Sequence, residues 1–177
     1  MLPVDILISE HRLIEKMVGI LEREINKTVA TRSFDLNFIA AVVDFFRTYV
    51  DRYHHGKEEG GLFKALSNKR LSDADHKMML ELEEEHAFAR KTVKSLESAR
   101  EEYAAGKEEE LNMISDLLKM LAALYPSHIC KEDEQFFIPC MNYFTQDEQK
   151  TMLDDFMEFD RNFTINSYKR IVEELGS

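Results

Sequence analysis

Apolar residues recur at steps of three and four through nearly the whole chain, and that period limits what the chain can become. Positions three and four apart share one face of an α-helix, so each run builds a stripe that must be covered. Leu7, His11, Ile14, Val18, Leu21 and Ile25 form one stripe in a segment expected from about Val4 to Thr28. Ile39, Val43, Phe46, Val50, His54, Glu58 and Leu62 form another, from about Asp35 to Leu66. A third segment opens at the capping sequence Ser72-Asp73-Ala74-Asp75 and carries Met79, Leu82, His86, Ala89, Val93 and Leu96. A fourth, from about Glu108 to Ile138, lines up Ile114, Leu121 and His128 beside Leu118, Tyr125 and Glu132. The capping box Thr145-Gln146-Asp147-Glu148 opens a last helix, expected to reach about Leu175 with Met152, Phe156, Phe159 and Phe163 inward.

Only 6 Gly and 3 Pro punctuate 177 residues, so the fold class is all-α, with helices joined by short turns. Four successive long helices pack most readily as an up-down-up-down antiparallel bundle. One domain is expected, its bundle over about residues 4–140 and its additional C-terminal helix over about 145–175. Pro126 should kink the fourth helix. Gly56, Gly60 and Gly61 should let the second fray or bend.

The stripes are not wholly apolar. They carry His11, His54, Glu58, His86, His128 and Glu132, from four different helices. One histidine on an apolar face is ordinarily a hydrogen-bonded core residue. Four together, two of them with a glutamate one turn later, need a shared partner, because buried imidazole and carboxylate are costly alone. A divalent cation supplies one, since both groups are common ligands and the i, i+4 spacing points both along one helix face. The stretch YHHGKEEGG over Tyr53–Gly61 offers two such pairs. His54 and Glu58 follow the apolar line. His55, turned by about 100°, falls with Asp44, Thr48, Asp51 and Glu59 on a polar face. His55 and Glu59 are therefore expected at the rim, orienting the ligands, and His76 is expected at the surface.

The phrases HHGKEEGGLF at His54–Phe63, EH at Glu85–His86 and HICKED at His128–Asp133 give the order H, H-x-x-x-E, H, H-x-x-x-E. In this the chain resembles the hemerythrin-like (HHE cation-binding) family over about Ile6–Pro139. The resemblance implies an antiparallel four-helix bundle holding a non-haem di-iron centre, with those six residues as ligands and both glutamates as bridges. Two positions depart from the oxygen-carrying members. Leu82 stands where they have a fifth histidine, and their last carboxylate would correspond to Asp133 rather than Glu132, although the apolar stripe favours Glu132. With four histidines, an open coordination position is expected.

The function implied is a cytoplasmic di-iron protein that binds or senses O₂, NO, peroxide or iron itself, more a binding protein than an enzyme. Zinc or manganese could substitute for iron. An alternative is a ferritin-like oxidase or peroxidase, suggested by Glu83-x-x-His86, but that class needs a second such motif and none is present. Another is a helical interaction module with structural histidines. A net charge of -11 argues against nucleic-acid or anionic-membrane partners. No 18-residue apolar run or secretory leader is seen. Cys130 and Cys140, ten residues apart on one expected helix, stand roughly 15 Å from each other and cannot pair, which fits a reducing cytoplasm. The Met- and Phe-rich last helix could serve a homodimer, although a core role is the simpler reading.

Overall fold

Each stripe becomes one face of a helix in the computed structural model, which describes residues 1–177 apart from the side chain of Val29. The order is α1 (Pro3–Thr31), α2 (residues 36–66), α3 (Asp73–Ala104), α4 (residues 110–140), α5 (Gln146–Arg161) and α6 (Ile165–Gly176), with no strand among the described residues. The expected caps form. Ser72 Oγ accepts from the Asp75 N–H at 3.1 Å, and Thr145 and Glu148 cap each other reciprocally.

Two apolar clusters make up the interior. One contains Val4 and Leu7 of α1, Leu62 and Phe63 of α2, Met79 and Leu82 of α3, and Phe136 and Phe137 of α4. The other contains Ile14 to Ile25, Ile39 to Tyr53, Ala89 to Ala99 and Ile114 to Ile129. The first cluster therefore holds the start of α1, the end of α2, the start of α3 and the end of α4, which is the up-down-up-down order the sequence implies. The buried histidines and glutamates, with Lys57, fall between the clusters on α1 to α4.

Two expectations change. The last helix is two helices, because the chain turns at residues 162–164. The turn brings Phe163 onto the Tyr53 ring (centroids 4.1 Å apart) and Tyr168 onto Tyr49 (5.7 Å). The helix α4 runs through Pro126, and an irregular turn follows at Lys131–Phe136. The glycine-rich end of α2 does not fray, for it remains helical to Leu66. Its glycines admit α5 instead: a Cβ at Gly61 would stand 2.5 Å from Phe156 Cε1, and one at Gly56 3.7 Å from Phe159 Cζ.

Regular α-geometry gives way to wider, π-helical turns in three places, Phe45–His55, Glu58–Phe63 and Lys131–Phe136. There a backbone N–H reaches back five residues, as from Gly56 to the Asp51 carbonyl, Lys64 to Glu59 and Phe137 to Glu132. Such turns are frequent at functional sites. They lie on the two helices that carry the inward pairs His54/Glu58 and His128/Glu132.

Gly61→Ala should destabilise the protein by about 1–3 kcal/mol, since the buried Phe156 ring must move. Gly60→Ala, with open space at that position, should be neutral or stabilising by up to about 1 kcal/mol. Urea unfolding of both variants checks the contrast, and equal effects would refute the packing role given to Gly61.

Candidate metal centre

The structure brings the six sequence-predicted residues together. His11, His54, Glu58, His86, His128 and Glu132 all turn inward, none more than 2% exposed. The helix phase responsible is that of the stripes, each polar residue replacing an apolar one between the two clusters. His11 Nε2 and His54 Nε2 face each other at 2.9 Å, and His86 Nε2 and His128 Nε2 at 3.1 Å. Glu58 spans the two pairs, with Oε1 3.1 Å from His54 Nε2 and Oε2 3.5 Å from His86 Nε2. Glu132 does the same, its Oε2 lying 3.2 Å from His11 Nε2 and 3.3 Å from His128 Nε2. None of these four carboxylate oxygens has a hydrogen-bond partner among the described residues, because the approaches lack the alignment a hydrogen bond needs.

The outer ring nitrogens are all held. His11 Nδ1 donates to Asp133 at 2.7 Å, His54 Nδ1 to Glu10 at 2.9 Å, His86 Nδ1 to Glu59 at 2.8 Å and His128 Nδ1 to Glu85 at 2.8 Å. Each carboxylate is in turn held by a cation, respectively Arg12, Lys57, Arg90 and Lys131. A carboxylate only accepts, so each Nδ1 carries the hydrogen, and Nε2 of the neutral ring is left as a lone pair. Two lone pairs facing each other about 3 Å apart repel unless something positive lies between them.

The electrostatics point the same way. Burial opposes charge on His11, but Asp133 and Glu132 outweigh it and raise its pKa to about 9. Burial is likewise outweighed at His128, where Glu132 and Glu85 raise the pKa to about 10. Burial would also keep Glu132 neutral, yet the surrounding histidines hold its carboxyl well below the usual range. The cage thus attracts positive charge, which protons or a metal ion can supply. One potential donor atom from each of His11, His54, Glu58 and Glu132 falls within 4.8 Å of the others, and His55, His86 and His128 form a second such group. Mixed imidazole and carboxylate donors, each 2% exposed or less and with the oxygens of both glutamates lacking a hydrogen-bond partner, fit divalent metal.

His55 corrects the sequence reading. It is 2% exposed rather than at a polar rim, and its ring stacks on His86 with centroids 3.7 Å apart. Two causes act. The π-helical turn fits more residues into each turn than an α-helix, so neighbours are separated by less than the assumed angle. In addition, α3 covers one flank of α2 and α5 covers the other, burying Tyr53, His55 and Lys57 together. Glu59 matches expectation as a half-buried group orienting His86. His76 is exposed as expected. Glu83 belongs to neither donor group.

Sequence reasoning missed the outer layer, although a signal was present. Its carboxylates are sequence neighbours of the inward residues, as Glu10 beside His11, Glu59 beside Glu58, Glu85 beside His86 and Asp133 beside Glu132. All four serve a histidine of another helix. Glu10 crosses to His54, Glu59 to His86 and Asp133 to His11, while Glu85, beside His86 on α3, crosses to His128 on α4. Glu10 has further support: Lys57 also meets Asp160 of α5 at 2.7 Å and lies 3.8 Å from the centre of the Tyr53 ring.

A helical bundle with a central histidine–carboxylate cage defines a class of metal-binding protein. The chain matches the Hemerythrin HHE cation binding domain over residues 2–138 and belongs to that family. No curated protein and no solved structure matches it. No helix among the described residues is long and apolar enough to cross a membrane.

Glu85→Gln keeps the shape of the side chain but removes the charge behind His128. It should weaken metal binding by roughly 10–100-fold with little change in fold, as measured by competition with a chelator. Unchanged affinity would mean that the outer carboxylates do not tune the site.

Proposed function

We propose that the protein holds two iron ions between its four bundle helices through His11, His54, Glu58, His86, His128 and Glu132, and binds or senses a small ligand such as O₂, NO or peroxide there. The observation that carries this reading is the span of Glu58 and Glu132 across both histidine pairs, with all four oxygens unpartnered. The donor set favours iron over a structural zinc site, for no thiolate enters it: Cys130 is exposed and Cys140 lies in an apolar cluster. Zinc or manganese would be substitutes.

Bound iron would supply the redox and ligand-exchange chemistry that these side chains lack. The protein's own groups do the rest. The outer carboxylates fix each imidazole with its Nε2 inward, and Arg12, Lys57, Arg90 and Lys131 fix those carboxylates. The apolar clusters on either side keep water from competing for the inward donors. Cys130 and Cys140 are both free thiols, which suits a reducing cytoplasm. The ferritin-like oxidase reading is not favoured, since Glu83 belongs to neither donor group.

Protein produced with ample iron and purified without oxygen should contain about two metal ions per chain, and its optical spectrum should change on exposure to air, NO or peroxide. Elemental analysis and spectroscopy check both parts. An absence of bound metal would refute the site. Two bound ions with a spectrum indifferent to all three ligands would refute the sensing function alone.

A further inference from the structure

We infer that His55 is a metal ligand, the third nitrogen donor of the ion position formed with His86 and His128; this rests on the two-ion reading above. Both His55 ring nitrogens lack a hydrogen-bond partner among the described residues, although the side chain is 2% exposed. A neutral imidazole has one donor and one acceptor, and a histidine buried for packing alone normally satisfies at least one of them. Stacking on His86 accounts for where the ring lies but leaves both nitrogens unused. A donor atom of His55 falls within 4.8 Å of donors from His86 and His128.

The surroundings of His55 repeat those of the other four inward histidines. Its Nδ1 lies 3.5 Å from Asp51 Oδ1, and Asp51 is held by Arg90 at 2.9 Å. Arg90 also holds Glu59, the carboxylate behind His86, at 2.9 Å. One guanidinium thus supports two histidine–carboxylate pairs. A small rotation of the His55 ring would close the remaining gap to Asp51, as the other four rings have done. Leu82, one turn before His86, is fully buried in an apolar cluster and offers no donor on α3, so the additional nitrogen comes from α2. The π-helical turn over Phe45–His55 is what brings His54 and His55 inward together. The two ion positions would then differ, with two nitrogens at His11 and His54 and three at His55, His86 and His128.

A cavity of about 330 Å³ supplies the means of testing this. Exposed Arg47 and Lys94 stand at its mouth, and buried Phe46, His55, Ala89 and Tyr125 line its interior. Removing the His55 ring would extend this cavity to the second ion position, with room for a free imidazole molecule.

The experiment loads wild type, His54→Ala, His55→Ala and His55→Gln with Fe(II) without oxygen, desalts them, and reads iron per chain and the optical spectrum after controlled oxidation. Circular dichroism reports folding, and His55→Gln stands in if the alanine variant does not fold. Wild type should retain about two ions and the His55 variants about one, with an altered spectrum. Added imidazole should restore the second ion and the spectrum in His55→Ala. Folded His55 variants that keep two ions and the wild-type spectrum would overturn the assignment of His55 alone, leaving the two-ion reading intact. A wild type that binds no metal would instead overturn that reading. Loss of the second ion that imidazole does not repair in a folded His55→Ala protein would also overturn ligation, indicating a packing role.

Discussion

Glu58 and Glu132 bring two carboxylates to the centre of a helical bundle where no hydrogen bond reaches any of their oxygens among the described residues. Much of the structure follows from this constraint. Uncompensated carboxylates in apolar surroundings neutralise or disrupt the fold. Four histidines face them, and each is fixed from behind by a carboxylate and a cation. The layered order of cation, carboxylate, imidazole and glutamate alternates charge from the surface inward, so that the cage is short of positive charge only at its centre. A cage of this kind is arranged to take up cations.

The same layer organises the bundle. Apolar clusters above and below it account for helix pairing, but apolar packing alone tolerates sliding by a turn. A histidine that must find a carboxylate on a neighbouring helix does not tolerate it. Pairs such as His54 with Glu10 and His128 with Glu85 cross between helices and fix their register. The C-terminal helices join this network from outside the family match. Asp160 of α5 receives both Lys57 and the Tyr53 hydroxyl, the latter at 2.8 Å, so α5 supports the carboxylate behind His54.

The helices, their order and the inward polar residues were legible in the sequence because a period near 3.6 residues records burial directly. Every residue assigned to the four bundle stripes is buried, including Glu132 in preference to Asp133. What the period hid was departure from itself. A stretch of π-helix changes the phase without a sequence signature, so His55 was placed at the rim and lies in the interior. The glycines of α2 read as weak points because their neighbour, the Phe156 ring, comes from a distant part of the chain. The turn after Arg161 was missed because Asn162 and Thr164 are weak breakers in a run of helix formers. The outer carboxylates look like ordinary surface charge until the packing of adjacent helices is known.

The most direct test of the central claim is a crystal structure of the iron-loaded protein with anomalous scattering recorded at the iron edge. Two anomalous peaks enclosed by His11, His54, Glu58, His86, His128 and Glu132, with both glutamates contacting both ions, are the expected result. A single ion, or iron bound only at surface carboxylates with the cage closed by protons, would contradict the account.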